Sequence, residues 1–207
     1  MSTLLPPSYY TSADVLVLAR DLLGKQIVSH VDGQLTSGII VETEAYRAPE
    51  DRGSHAFGNK RTQRTSTMFD EGGLSYIYLC YGIHHLLNIV VGPKDVAHAI
   101  LIRAIEPIDG REHIHERRKQ SSIIQCTNGP GKLSAALGIT TSLNHQPFYK
   151  DTSLVQLFDI GHSYADSAII ESPRVGIAYA KEWANKPWRF RVKGNPYTSL
   201  PHKVSYS

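Results

Sequence analysis

Cysteine is nearly absent from this chain, with only Cys80 and Cys126 among 207 residues. Two thiols cannot furnish a zinc-finger ligand set or a disulfide framework, and both are expected to be reduced. No apolar stretch approaches the roughly 20 residues that a bilayer-spanning helix needs. The opening MSTLLPPSYYTSAD lacks both the basic start and the apolar run of a secretion signal. A soluble, cytoplasmic protein is therefore expected. Repeats and low-complexity tracts are missing as well. Charge of one sign is scarcely in excess: 22 Lys and Arg stand against 19 Asp and Glu, a net +3, which is compatible with nucleic acid without demonstrating it. At 41% hydrophobic residues, the chain can bury the core of one domain, taken here as residues 1–207 with 1–10 as an N-terminal arm.

Local signals place the elements. Thr11 or Ser12 could cap a helix whose Val15, Leu18, Ala19 and Leu22 recur at helical spacing until Gly24 ends it. Asp32-Gly33 between IVSHV and the strand entering at Leu35 is a hairpin signal. Two further strands flank the Gly92-Pro93 turn, and NGPGKLSAALGI reads as a turn opening into a helix, with Lys132 in its first turn. That turn could receive a phosphate, but it lacks the spacing of a nucleotide-binding P-loop. Residues 111–122 are a charged stretch, read as a solvated helix or mobile loop. Trp183 and Trp188 read as core anchors, while Lys181, Lys186, Arg189, Arg191 and Lys193 make the C-terminal end basic.

Chemistry-bearing side chains concentrate between Gly38 and Asn88. In the strand-like run Ile39 to Tyr46, period-2 alternation puts Glu42, Glu44 and Tyr46 on one face. A solvated strand would alternate in the same way, and the pattern does not choose between the two acids. SYIYLCYG is a second strand with Tyr76 and Tyr78 on one face, and Tyr81 and Gly82 at a tight turn. The intervening loop carries His55 and the basic cluster Lys60, Arg61 and Arg64, with Thr62 beside them; such groups suit phosphate contacts. Arg103 is the odd residue in an apolar strand, where an unpaired charge would be costly, so an anionic partner is expected. His84 and His85 have no carboxylate or cysteine at a metal-ligand spacing, so no metal is assigned.

ETEAY, the histidine eleven positions after its second Glu, YIYLCYG with Asn88 downstream, LIRAIEP, NGPGKL and RVGIAYAKEWANKPWRF occur in an order that resembles the alkyladenine (methylpurine) DNA glycosylase family, over about residues 18–194. The resemblance implies an α+β fold, one compact domain with a curved, mostly antiparallel sheet flanked by helices and a protruding DNA-inserting hairpin. It implies a monofunctional DNA N-glycosylase that flips alkylated or deaminated purines from duplex DNA and hydrolyses the N-glycosidic bond. In that picture Glu44 is the general base, and Arg103 and the backbone carbonyl of Val175 help to hold the water. Tyr46, His55, Tyr78 and Asn88 surround the base. Tyr81, with Ile83 beside it, enters the duplex, and Lys60, Thr62, Arg64 and Lys132 meet its backbone. The expected partner is double-stranded DNA containing damaged purines, with no cofactor, no membrane and a monomeric protein, nucleoid-associated in a prokaryote. Two other readings are a carbohydrate hydrolase using paired carboxylates and a non-catalytic module that stacks bases on its tyrosines.

Overall fold

A fourteen-residue strand, Gln34–Arg47, forms the axis of the molecule. The computed structural model describes residues 2–199. Its elements run β1 (Thr3–Leu4), α1 (Val15–Asp21), β2 (Gln26–Val31), β3 (Gln34–Arg47), β4 (Ser75–Cys80), β5 (His84–Val91), β6 (His98–Pro107), α2 (Arg111–Arg118), α3 (Ile123–Thr127), α4 (Pro130–Ala136), β7 (Val155–Asp159), β8 (Ile169–Ser172) and β9 (Arg189–Val192). The strands form one antiparallel sheet in the order β1-β7-β2-β3-β6-β5-β4, with β9 pairing both β3 and β8. The fold is therefore α+β with an open antiparallel sheet.

Along one edge β3 is held by β6 from Gly38 to Arg47, whereas its other edge passes from β2, as far as Ile39, to β9 at Glu42–Glu44. The hand-over coincides with a pair of compensating bulges. Ile40 pairs with Ile105 and Glu42 with Ala104, leaving Val41 extra on β3; Thr43 then pairs with Ile102, leaving Arg103 extra on β6. A bulge re-aims the residues around it. Here it sends both Ile40 and Val41 into the main core and brings Arg103 to the opposite face, onto Glu42 and Glu44.

The main core lies on the face covered by α1 and α4, with Leu18, Leu22, Ile77, Leu87, Ile89, Ile100, Ile102 and Leu133 all buried. Thr43 sends its hydroxyl to the Ala19 carbonyl of α1 at 2.7 Å. The opposite face is covered by the loop after β3 and by the segment between β8 and β9, and it carries the polar groups. The β2–β3 hairpin turns at Asp32 and Gly33 with φ of 56° and 70°, the left-handed pair that a two-residue turn between twisted strands requires.

The local reading needs three corrections. Helix α1 is capped by Asp14, whose carboxylate accepts from the Leu16 and Val17 amides, because Thr11 and Ser12 precede the first helical turn. The charged 111–122 stretch is not wholly solvated: Arg117 reaches the Val31 and Ala136 carbonyls at 3.0 and 3.1 Å. Arg189 belongs to no basic surface, since it is buried on Glu42. The N-terminal arm is anchored, with Thr3–Leu4 on the edge of β7 and Tyr10 in the core. No helix among the described residues is long and apolar enough to cross a membrane.

Candidate active site

Sheet register assembles the site. Glu44 pairs with Leu101, Leu101 with Asn88 and Asn88 with Tyr76, so one row of side chains runs across β3, β6, β5 and β4 on a single face. Tyr46 pairs with Ala99 in the next row, and Tyr78 stands two residues beyond Tyr76 on the same face. The loop after β3 folds back over this face. Together Tyr46, His55, Tyr76, Tyr78, Asn88 and Tyr179 line a cleft of about 50 Å³, room for a few waters.

Both glutamates are fully buried, and their partners differ. Glu42 Oε1 accepts from Arg103 Nε and Arg189 Nε, each at 2.7 Å, and from the Ser199 hydroxyl at 2.8 Å; Oε2 accepts from the Ser199 amide at 2.6 Å. Burial pushes its pKa up, but the two guanidiniums and the Ser199 amide outweigh that and hold it below the usual carboxylate range. With its lone pairs so committed, Glu42 is an anchor for the two arginines. Glu44 has lighter company: the Tyr46 hydroxyl donates to Oε2 and the Val175 amide to Oε1, each at 2.8 Å, and Arg103 Nη1 stands 3.3 Å from Oε1. Burial and then the Glu44 charge push the Tyr46 phenol well up, so it stays protonated and donates. Burial opposes the charge on Arg103, but Glu44 and Glu42 outweigh it and keep the guanidinium protonated.

His55 bridges Tyr76 and Arg64. Its Nδ1 lies 2.8 Å from the Tyr76 hydroxyl and its Nε2 3.3 Å from Arg64 Nη2. Arginine can only donate, so Nε2 accepts, and in the neutral ring the proton sits on Nδ1, directed at Tyr76. Burial, helped by the Arg64 charge, lowers the pKa to about 4, so the ring is neutral at physiological pH. The His55 and Tyr78 rings meet edge to face at 4.6 Å. Admitting a third ring between them would need about 7 Å, two aromatic stacking distances, so that gap is closed in the free protein. The Asn88 amide nitrogen donates to the Tyr76 and Leu86 carbonyls, leaving its carbonyl oxygen as the group available to a ligand.

Around the mouth, Tyr81 is 88% and Ile83 71% exposed at the β4–β5 turn, where Tyr81 adopts a φ of 51°. Arg64 does not stand free: its guanidinium covers the Tyr78 ring at 4.7 Å. Lys60 and Thr62 are exposed on the same loop, while Lys132 is exposed on α4 with its ammonium 2.8 Å from Asn128 Oδ1. The fold brings Glu44, Tyr46, His55, Tyr78, Asn88 and Arg103 together and leaves Tyr81, Ile83, Lys60, Thr62 and Arg64 exposed around them, with Lys132 apart on α4. Val175 meets Glu44 through its amide, and its carbonyl is the group that the resemblance assigns to the water.

Residues 9–196 match the model of the methylpurine-DNA glycosylase family. The chain belongs to that family. It is similar to a Chlamydia abortus protein provisionally named 3-methyladenine DNA glycosylase, 45% identical over 90% of this chain and 97% of the relative. Relatives with the same provisional name from Chlamydia pneumoniae (43%, over 90% of this chain and 94% of the relative) and Bacillus cereus (42%, 94% and 98%) are similar over comparable spans. Membership makes the chain a DNA glycosylase, a hydrolase of DNA repair.

Three positions at the site were not singled out from the sequence. Asp51 and Arg174 form a buried ion pair beside Tyr46, and Tyr179 lines the cleft while 66% exposed. Arg174 lies directly before Val175, and Tyr179 lies within the same RVGIAY motif. That adjacency was the available signal.

Proposed function

We propose that this glycosylase flips alkylated or deaminated purines of the 3-methyladenine, 7-methylguanine, hypoxanthine and ethenoadenine class out of duplex DNA and hydrolyses the N-glycosidic bond. The observation that carries this reading is Glu44, buried behind Tyr46 of the aromatic cleft, with Tyr46 and Val175 donating to it and Arg103 alongside. Water held against Glu44 attacks the anomeric carbon as the bond to the base breaks. The water proton goes to the carboxylate, and the bonding electron pair leaves with the base. The carboxylate charge also steadies the oxocarbenium character that develops on the sugar.

The damaged base stacks among Tyr46, His55 and Tyr78, where a cationic or electron-poor ring gains most from aromatic faces. Its entry requires the His55 and Arg64 side of the mouth to open, because His55 and Tyr78 are in contact in the free protein. Asn88 reads the base edge with its carbonyl oxygen. Tyr81, with Ile83, fills the gap left in the stack, and Lys60, Thr62, Arg64 and Lys132 meet phosphates. The chain acts as one domain, since its single sheet takes strands from Thr3 to Val192. It works on DNA as a monomer, in the cytoplasm. No lysine attacks the sugar, so base release starts base excision repair without strand cleavage.

Incubation with duplexes carrying hypoxanthine or ethenoadenine, and with methylated DNA, tests this directly. Free base should be released while the strand stays intact until alkali is added. Borohydride trapping of a protein–DNA adduct, or no base from any of these substrates, would overturn it.

A further inference from the structure

The chemistry above leaves Arg174 and Asp51 unused, although both side chains are wholly buried. The Arg174 guanidinium stands where three chain segments meet. Nη1 and Nη2 fork onto the Asp51 carboxylate at 2.5 and 2.7 Å. Nη1 also reaches the Ala45 carbonyl at 2.9 Å, and Nη2 the Trp183 carbonyl at 3.3 Å. Ala45 lies between Glu44 and Tyr46, and the residue after Arg174 is Val175, whose amide holds Glu44. The guanidinium carbon is 4.7 Å from the centre of the Tyr46 ring, whose hydroxyl is the other donor to Glu44. Both of those donors therefore come from residues that Arg174 adjoins or touches.

Asp51 fixes the other wall. Besides the fork, it accepts from the Gly53 amide at 2.8 Å and the Arg47 amide at 3.2 Å, and the turn that follows delivers Gly53, Ser54 and His55 to the cleft. The turn is closed down on the ion pair: a Cβ at Gly53 would come within 3.0 Å of Arg174 Nη2 and 3.1 Å of Asp51 Oδ1. For stability alone, apolar side chains of similar volume often serve a buried site as well as an ion pair does. They cannot fork across three segments and fix them relative to one another.

We infer that the Asp51–Arg174 pair positions the catalytic carboxylate, holding the Tyr46 and Val175 donors and the His55 turn in the arrangement that aims Glu44 at the bound nucleotide. This rests on the reading of Glu44 as general base. If the parent releases no base, or Glu44→Gln releases it as the parent does, that reading fails before the pair is tested.

The test uses Arg174→Lys, which keeps the charge and loses the fork, and Asp51→Asn, which keeps the shape and loses the charge. Single-turnover base release and lesion-duplex affinity are measured for each variant that retains the parent's circular dichroism. Release should slow by about 10- to 100-fold, the scale of a small misplacement of reacting groups, with affinity within about threefold. A cycle with Tyr46→Phe separates positioning from packing. The double variant Arg174→Lys/Tyr46→Phe should lose less than the product of the two single losses, because part of the effect of Arg174 runs through Tyr46. Release within about twofold of the parent in either folded variant, multiplicative losses in the cycle, or loss of folding in both variants would overturn the inference.

Discussion

The floor and the rim of the cleft are built on opposite principles. The floor is the charged layer behind the cleft's lining, where Glu42, Glu44, Arg103, Arg189, Asp51 and Arg174 lie within 5% of complete burial, and each has at least one charged partner. On the rim, Tyr81, Ile83, Lys60, Thr62 and Arg64 are all exposed, as is Lys132 on α4. Charges removed from water are held only by geometry, so the floor is rigid and intolerant. Side chains left in water cost the fold little to change and remain free to meet a large ligand. The layer on which the proposed chemistry rests therefore also carries stability, and the rim proposed to meet DNA does not.

The largest effect should follow from breaking the floor. Glu42→Ala leaves Arg103 and Arg189 buried without their carboxylate, and denaturant unfolding should show a loss of about 3–5 kcal/mol. A loss below about 1 kcal/mol would mean that water or Glu44 replaces the partner. Next comes pH. The His55 pKa falls from 6.5 to about 4 on folding, so between those values the unfolded chain binds the proton that the folded chain refuses. The resulting penalty is absent above about pH 6.5, grows as pH falls, and is complete below about pH 4, at most about 3 kcal/mol. Comparing unfolding at about pH 7 and about pH 5 in the parent and in His55→Asn isolates this contribution, which the variant should lack.

The rim should answer differently. Tyr81→Ala should change stability by no more than about 0.5 kcal/mol, yet slow base release from duplex DNA by about tenfold or more, since unstacking costs a few kcal/mol per step. Equal losses on single-stranded substrate would argue against a wedge. The smallest effect is expected from Lys60→Ala, which should lower the slope of log affinity against log salt by about 1 with the fold unchanged. An unaltered slope would remove Lys60 from the phosphate contacts.

The same division decides what the sequence could reveal. Period-2 alternation is a backbone property, so Glu42, Glu44 and Tyr46 sharing a face was legible, as were the turns at Asp32-Gly33 and Gly92-Pro93. The difference between the two glutamates was not, because it depends on Arg189 and Ser199, more than 140 residues away along the chain. Arg189 looked like one of several basic residues near the C-terminal end, and only its pairing to β3 through β9 buries it. Arg174 and Asp51 were missed for the same reason, since a buried fork joins two loops that no local pattern connects. The compensating bulges that turn Arg103 toward both glutamates leave no mark in the residue types. Arg64, whose type suits a phosphate contact, also stands on Tyr78 in the free protein, a tertiary placement that composition could not show.

Single-turnover base release by Glu44→Gln tests the central claim most directly, measured beside its affinity for the same hypoxanthine- or ethenoadenine-containing duplex. The amide keeps the shape of the floor and cannot accept the water proton, so release should fall by roughly 10² to 10⁴ while affinity stays close to that of the parent. Release at the parent's rate would contradict the assignment of Glu44 as the base.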